Sequence, residues 1–134
     1  MRKSEIFNLK WNDIDFRNRI IYVLETENNE VRKIPMNEII FRTLLKVRKN
    51  PNSAYVFCKK NGDPYKDIRD GFKAALKRAG IKNFRFHDLR HTFASHLVMA
   101  GIDLKTVQEL LEHKTFEMTL RYSHLSPDHK RRAL

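Results

Sequence analysis

In the second half of the chain, residues that typically begin or end helices recur at short intervals. Gly80 and Gly101 each follow a stretch with helical apolar spacing, and glycine is favoured where a helix ends in left-handed backbone. Asp103 and Thr115 stand before two further helical stretches, "LKTVQELLEH" and "FEMTLRYSH", and their side chains can accept hydrogen bonds from first-turn amides. These signals predict two helices over about 66–79 and 87–100, followed by two more.

The first half adds a small β-sheet. Residues 19–36 read as a hairpin that turns around Asn28-Asn29, because apolar runs on both sides flank a polar turn. A helix is expected over 2–11, a second over 38–49 with Asn37 as its cap, and a short strand over 54–58. The predicted fold class is α+β, mainly α-helical with a small antiparallel sheet near the N-terminus.

The charge of the chain constrains its partners. Lys and Arg number 27 against 16 Asp and Glu, which gives a net charge of +11 over 134 residues. Such an excess favours a polyanion, and nucleic acid is the expected partner; the alternative is a protein that simply has a positive surface. The single cysteine, Cys58, excludes an internal disulfide and a cysteine-rich zinc site.

The decapeptide "HDLRHTFASH" (87–96) contains three histidines and an arginine. At 100° per residue, His87, Arg90 and His91 share one helix face while His96 lies on the opposite side, so the three histidines cannot meet at one ion. The paired guanidinium and imidazole suit a phosphate. A two-ligand zinc pair of His87 and His91 remains the alternative. The apolar stripe of the same helix, and therefore its expected core face, is formed by Leu89, Phe93, Leu97 and Ala100.

Three stretches taken together resemble the tyrosine recombinase (phage integrase) family. They are "MRKSEIFNLKWNDID" at the start, "HDLRHTFASHL" in the middle, and "LLEHKTFEMTLRYSHL" (110–125), in which His113 and Tyr122 are nine residues apart. The resemblance covers essentially the whole chain and implies that residues 1–134 form a catalytic domain. It also implies that the first catalytic-domain helices and the N-terminal core-binding domain of the family are missing, and we expect the chain to be part of a longer protein.

The resemblance also implies roles for particular residues. Arg2 and Arg90 would bind the non-bridging oxygens of one DNA phosphate, and Tyr122 would attack phosphorus to give a 3′-phosphotyrosyl intermediate. His87 would assist proton transfer at the tyrosine, and His113 would donate to the phosphate. Neither a metal nor any other cofactor is implied.

This sequence departs from the family pattern in the hairpin. The family places a lysine at the tip, where it protonates the departing 5′ oxygen, whereas the matching residue here is Glu27. Lys33 on the return strand is the candidate substitute. A carboxylate donates no proton at neutral pH, so we expect weak or absent strand cleavage. Glu112 also stands before His113 where the family usually has glycine.

The expected partner is double-stranded DNA, and the family works as tetramers, so the resemblance implies a homo-oligomer on DNA. The expected function is that of a site-specific recombinase or integrase of a mobile element. The alternatives are a non-catalytic DNA-binding relative and a type IB-like topoisomerase. No apolar run approaches the roughly 18 residues of a membrane span, and we predict a cytoplasmic, prokaryotic or phage-encoded protein associated with the nucleoid.

Overall fold

The computed structural model describes residues 1–25 and 29–127, and the chain divides into two units, Met1–Ile68 and Arg69–Leu134. The first unit contains helix α1 (Lys3–Phe7), a 3₁₀ turn (Trp11–Asp13), strands β1 (Ile14–Asp15), β2 (Ile20–Glu25) and β3 (Glu30–Pro35), and helix α2 (Glu38–Lys46). The second contains helices α3 (Arg69–Ala79), α4 (Asp88–Met99), α5 (Leu104–Leu111) and α6 (Glu117–Leu120), followed by a 3₁₀ turn (Ser123–Leu125). The predicted fold class is confirmed.

The three strands form one antiparallel sheet in the order β1-β2-β3. In the β2–β3 hairpin Ile21 pairs with Ile34 and Tyr22 pairs with Lys33, which confirms the predicted hairpin. Since opposite residues of a pair share a face, Ile21 and Ile34 lie on one face, and Tyr22 and Lys33 lie on the other. The turn residue Asn29 has a φ of 52°, while residues 26–28, which include Glu27, lie outside the described residues.

The first helix is shorter than predicted because the chain after it becomes extended. The Leu9 carbonyl accepts from the Val56 amide at 2.9 Å, and the Trp11 amide donates to the Ala54 carbonyl at 3.0 Å. The second bond uses the Trp11 amide, which in a helix over 2–11 would donate to the carbonyl four residues earlier. The predicted strand over 54–58 is also wrong, since this segment makes only isolated bridges, of which Lys10 with Tyr55 is one.

The first unit packs around its own apolar cluster. The Asn37 side chain accepts from the Ile40 amide at 2.9 Å, which confirms the predicted cap of α2, although the helix ends at Lys46 and not at 49. One face of the sheet and the adjoining segments supply the buried residues, namely Leu9, Ile14, Ile21, Val23, Met36, Leu44 and Val56.

The helix boundaries of the second unit largely follow the sequence signals. Gly80 and Gly101 end α3 and α4 with φ of 68° and 85°, and the Asp103 carboxylate accepts from the Thr106 amide at 2.9 Å. The predicted cap at Thr115 is wrong. Helix α6 is a single turn that begins after Phe116, whose carbonyl accepts from two amides of that turn.

The predicted core face of α4 is also wrong. Ala94 and Val98 are fully buried, whereas Leu89 and Phe93 are 47% and 50% exposed. The buried pair packs in one cluster with Val107 and Leu111 of α5, Tyr122 and the partly buried Leu97. Two stripes of this helix carry apolar residues, and the partner helices decide which one is covered. Ala94 and Val98 lie on the same helix face as Arg90 and His91. This face is therefore the one turned towards α5 and Tyr122.

Within the described ranges, none of the helices has the length and apolar character that crossing a membrane requires.

Candidate active site

Tyr122 lies two residues after the end of α6, and its ring is buried while its hydroxyl is hydrogen-bonded. The side chain is only 6% exposed and belongs to the apolar cluster formed by α4 and α5. Its hydroxyl lies 2.5 Å from Nδ1 of His91. Packing therefore fixes the position of the ring, and a buried phenolic hydroxyl needs such a partner.

His91 connects Tyr122 to the start of α4. Its ring centroid is 4.9 Å from that of His87, with an interplanar angle of 85°, and 6.1 Å from that of Tyr122. His87 and His91 are four residues apart and therefore occupy successive turns of one helix face. The order in space is His87, His91, Tyr122.

Burial, together with the positive charges of His87 and Arg121, holds the pKa of His91 below its ordinary value of 6.5, and the carboxylate of Asp88 only partly opposes this. Burial disfavours the charged form of an imidazole, and nearby cations act in the same direction. His91 is therefore neutral at pH 7, and one of its ring nitrogens can accept a proton.

His113 lies in the connection between α5 and α6. Glu112 before it adopts the left-handed conformation, with φ of 55° and ψ of 41°, which explains why glycine suits this position. Nδ1 of His113 is 2.7 Å from Oγ1 of Thr119, a fully buried residue. Burial and the positive charges of Arg90 and Arg121 lower the pKa of His113.

Two guanidinium groups, Arg90 and Arg121, add positive charge near the histidines. Arg90 is half-buried and Arg121 is exposed, and within residues 1–25 and 29–127 neither side chain makes an ion pair or a hydrogen bond. The nearby Arg85 differs, because it pairs with Asp88 at 3.1 Å. Unpaired guanidinium groups beside imidazoles form a site suited to an anion.

The remaining predicted residues belong to the first unit. Arg2 is exposed immediately before α1, and its backbone amide donates to the Glu5 carboxylate at 2.6 Å. The same carboxylate binds the Arg32 guanidinium at 3.1 Å. Lys33 is exposed on β3, on the sheet face that carries Tyr22.

The second unit thus holds four of the predicted site residues, His87, Arg90, His113 and Tyr122. The sequence reasoning considered His91 only as a possible zinc ligand with His87, and it assigned no role to Thr119 or Arg121. The helical projection already placed His91 on the face of His87 and Arg90, but only the fold puts it against Tyr122. Among the described residues, no three His, Cys, Asp or Glu side chains are grouped so that they could hold a metal ion.

The fold is that of a recombinase catalytic domain. The catalytic domain of bacteriophage HP1 integrase superposes with a TM-score of 0.66 and 31% identity, over 99% of this chain and 72% of that one. An integrase of the transposon Tn1549, solved in complex with transposon right end DNA, superposes with a TM-score of 0.81 and 27% identity, over 99% of this chain and 53% of that one.

Residues 1–129 match the model of the phage integrase family, and the chain belongs to this family. The integrase of Salmonella phage P22 is 35% identical over 96% of the chain, and the tyrosine recombinase XerC of Staphylococcus epidermidis is 36% identical over 94%. The chain spans 37% and 45% of the length of these two relatives.

Proposed function

We propose that this chain acts as the catalytic domain of a site-specific recombinase that cleaves and rejoins duplex DNA through Tyr122. The observation that carries the proposal is the hydrogen bond between the Tyr122 hydroxyl and His91. It places a phenol against a neutral imidazole in the unit that also holds Arg90, whose side chain has no ion pair or hydrogen bond within the described part of the chain. A nucleophile beside a base, with cations for an anionic substrate, is the arrangement that covalent phosphoryl transfer needs.

The family resemblance implies the course of the reaction that we propose. The Tyr122 oxygen attacks the phosphorus of a phosphodiester, the bond from phosphorus to the 5′ oxygen breaks, and the 3′ phosphate becomes linked to the tyrosine. The phenolic proton passes to a base, and the departing 5′ oxygen takes up a proton. Rejoining is the reverse, with a 5′ hydroxyl as the nucleophile and the tyrosine as the leaving group.

The positive charge for this reaction would come from arginines. Arg90 would hold the non-bridging oxygens, and His113 would donate a hydrogen bond to the same phosphate. The family resemblance implies Arg2 as a further phosphate-binding arginine. Thr119 fixes the ring of His113 at 2.7 Å. Arg121 would add to the charge that attracts the DNA backbone.

The position at which the family supplies a proton to the departing 5′ oxygen differs in this chain. Glu27 stands where the family resemblance places a lysine, and an ionised carboxylate supplies no proton at neutral pH. Loss of a general acid typically slows a reaction by roughly 10²–10⁴-fold. We propose that cleavage of ordinary DNA by this chain is slow for this reason, and that Lys33 is the substitute donor.

Duplex DNA is the proposed partner. A DNA complex has been solved for the Tn1549 integrase, and the +11 charge of this chain fits a polyanion. Assembly into a tetramer on DNA remains a prediction.

The test is covalent capture. The chain would be incubated with nicked duplexes that carry a 5′-bridging sulfur at a fixed position within randomised flanking sequence. A thiolate leaves without an acid, so trapped DNA should appear on Tyr122, identified by mass spectrometry. The matched control is Tyr122→Phe, which should bind DNA but form no adduct. Absence of any adduct above the level of this control would refute the proposal.

The role of Glu27 is tested by replacing the bridging-sulfur substrate with ordinary phosphodiester DNA. On ordinary phosphodiester DNA the chain should react slowly, whereas Glu27→Lys should restore cleavage. Rapid cleavage of ordinary DNA by the unchanged chain would show that position 27 does not limit the reaction. Lys33→Ala should remove the residual activity if Lys33 is the donor.

A further inference from the structure

We propose that His91 accepts the phenolic proton when Tyr122 attacks, and returns it when the strand is rejoined. This inference rests on the proposed function and names the base of the same site. The resemblance to the family implies His87 for this role, yet in the structure the tyrosine hydroxyl meets His91. His91 is the residue whose ring nitrogen can take the proton without any movement of the helix.

Three contacts support this assignment. Nδ1 of His91 lies 2.5 Å from the Tyr122 hydroxyl, within the distance that direct proton transfer requires. Tyr122 is held by the apolar cluster around Val98 and Leu111, so its hydroxyl has little freedom to turn elsewhere. His87 contacts the ring of His91 edge to face, at 4.9 Å between centroids, and so acts as a positioning residue for the base.

The charged groups around His91 are compatible with its role as the base. His91 is faced by His87, Asp88 and Arg85 at the start of its own helix and by Arg121 beside the tyrosine. It also faces His113, whose own pKa it helps to lower. In free protein burial, together with the nearby cations, outweighs Asp88 and lowers the pKa of His91. A bound DNA phosphate would offset these positive charges and stabilise the imidazolium that forms when the proton arrives.

The step balances without any other reactant. The proton moves from the Tyr122 oxygen to Nδ1 as the bond from that oxygen to phosphorus forms. The electron pair of the broken bond leaves on the 5′ oxygen or, in the modified substrate, on sulfur. On rejoining, the 5′ hydroxyl attacks and the His91 imidazolium protonates the departing phenol.

A first experiment tests the direction of the hydrogen bond independently of activity. In protein labelled with nitrogen-15 in its histidines, nuclear magnetic resonance reports which ring nitrogen carries the proton. At about pH 7.5, we expect His91 to be neutral, protonated on Nε2, with Nδ1 as the acceptor. A proton on Nδ1 would mean that His91 donates to the tyrosine, and this would overturn the inference.

A second experiment separates proton transfer from positioning. In His91→Asn the side-chain amide can still hydrogen-bond the tyrosine but cannot take its proton. We expect adduct formation on the bridging-sulfur substrate to slow by roughly 10²–10⁴-fold, with unchanged DNA affinity. The control is His96→Asn, an exposed histidine of the same helix, which should react at the wild-type rate. Cleavage by His91→Asn at that rate would overturn the inference.

The pH profile gives the third measurement. Since the base must be neutral, the wild-type rate should fall as pH drops below 6.5, the ordinary value for the imidazole, with its midpoint lower than that value. In His91→Asn this fall should be lost or displaced, and an unchanged profile would overturn the inference.

An adduct that forms normally in both proteins would refute only the role of His91. A wild-type chain that forms none would refute the proposed function as well.

Discussion

The Glu5 carboxylate binds the Arg32 guanidinium at 3.1 Å and so ties helix α1 to strand β3. Both side chains are largely shielded from solvent, with 17% and 20% exposure. Burial opposes ionisation of Glu5, but the amide of Arg2 and the charge of Arg32 outweigh it and lower the pKa of Glu5. Glu5 therefore holds both the backbone of Arg2 and the neighbouring strand.

Replacement of Glu5 by glutamine should destabilise the first unit. Glu5→Gln keeps the shape of the side chain but removes the charge that binds Arg32, and loss of a hydrogen bond to a charged group costs about 1.5–3 kcal/mol. Urea unfolding would measure the change. The control is Glu38→Gln, whose partners Arg19 and Arg42 are at the surface, and its effect should be much smaller. Equal effects would show that the Glu5 pair is no better than a surface pair.

The Thr119 hydroxyl should matter for both stability and cleavage. Thr119→Val keeps the volume of this fully buried side chain but removes the partner of His113 at 2.7 Å. An unsatisfied polar group costs about 1–3 kcal/mol, and the His113 ring loses its fixed orientation. We expect a lower melting temperature and slower adduct formation. Thr115→Val, at an exposed position nearby, is the control and should leave both unchanged.

Two glycines with positive φ should respond differently to alanine. At Gly62, with φ of 93°, an added Cβ would lie 2.7 Å from the backbone oxygen of Asn52, whereas at Gly80, with φ of 68°, it would meet nothing within 4 Å. Gly80→Ala should therefore cost only the backbone penalty of about 1–2 kcal/mol. Gly62→Ala adds a clash with the backbone and should lower the free energy of unfolding further. Urea unfolding of both variants would measure the difference. A larger loss at Gly80 would contradict this.

The second unit should lose stability at mildly acidic pH. Burial and nearby cations lower the pKa of both His91 and His113 in the folded chain. Unfolded histidine binds protons from about pH 6.5 downwards, so the unfolded state takes up more protons and is stabilised relative to the folded state as pH falls. The loss should begin near pH 6.5 and continue until pH falls through the folded pKa values.

Thermal unfolding from about pH 7.5 to 5 would record this loss, and the double variant His91→Asn, His113→Asn should show a flatter dependence. The variant His96→Asn should retain the wild-type slope. An identical slope in all three proteins would place the pH sensitivity elsewhere in the chain.

DNA affinity should fall steeply with salt. Each phosphate contacted by Lys or Arg releases counterions, so the logarithm of the affinity decreases linearly with the logarithm of the salt concentration. Arg121→Ala should weaken binding and reduce this slope by about one phosphate contact, as measured by fluorescence anisotropy. A flat response of the unchanged chain would contradict duplex DNA as the partner.

The features that could be read from sequence are those set by neighbours along the chain. The hairpin over 19–36, the caps at Asn37 and Asp103, and the helix ends at Gly80 and Gly101 depend on contacts within a few residues. The prediction at Thr115 failed although the residue type was suitable, because the helix starts beyond Phe116. The early end of α1 required the segment 54–56, which lies more than 40 residues further on.

Helical spacing in the sequence was enough to single out His87 and Arg90 as a candidate anion site, whereas His113 and Tyr122 were singled out by the resemblance to the tyrosine recombinase family. Packing between segments that are distant in sequence determined the covered face of α4 and the contact of His91. It selected Ala94 and Val98 as the covered face of α4 and brought His91 against a tyrosine 31 residues later. A helical projection shows which side chains share a face, but the burial of apolar surface against other helices determines what that face meets.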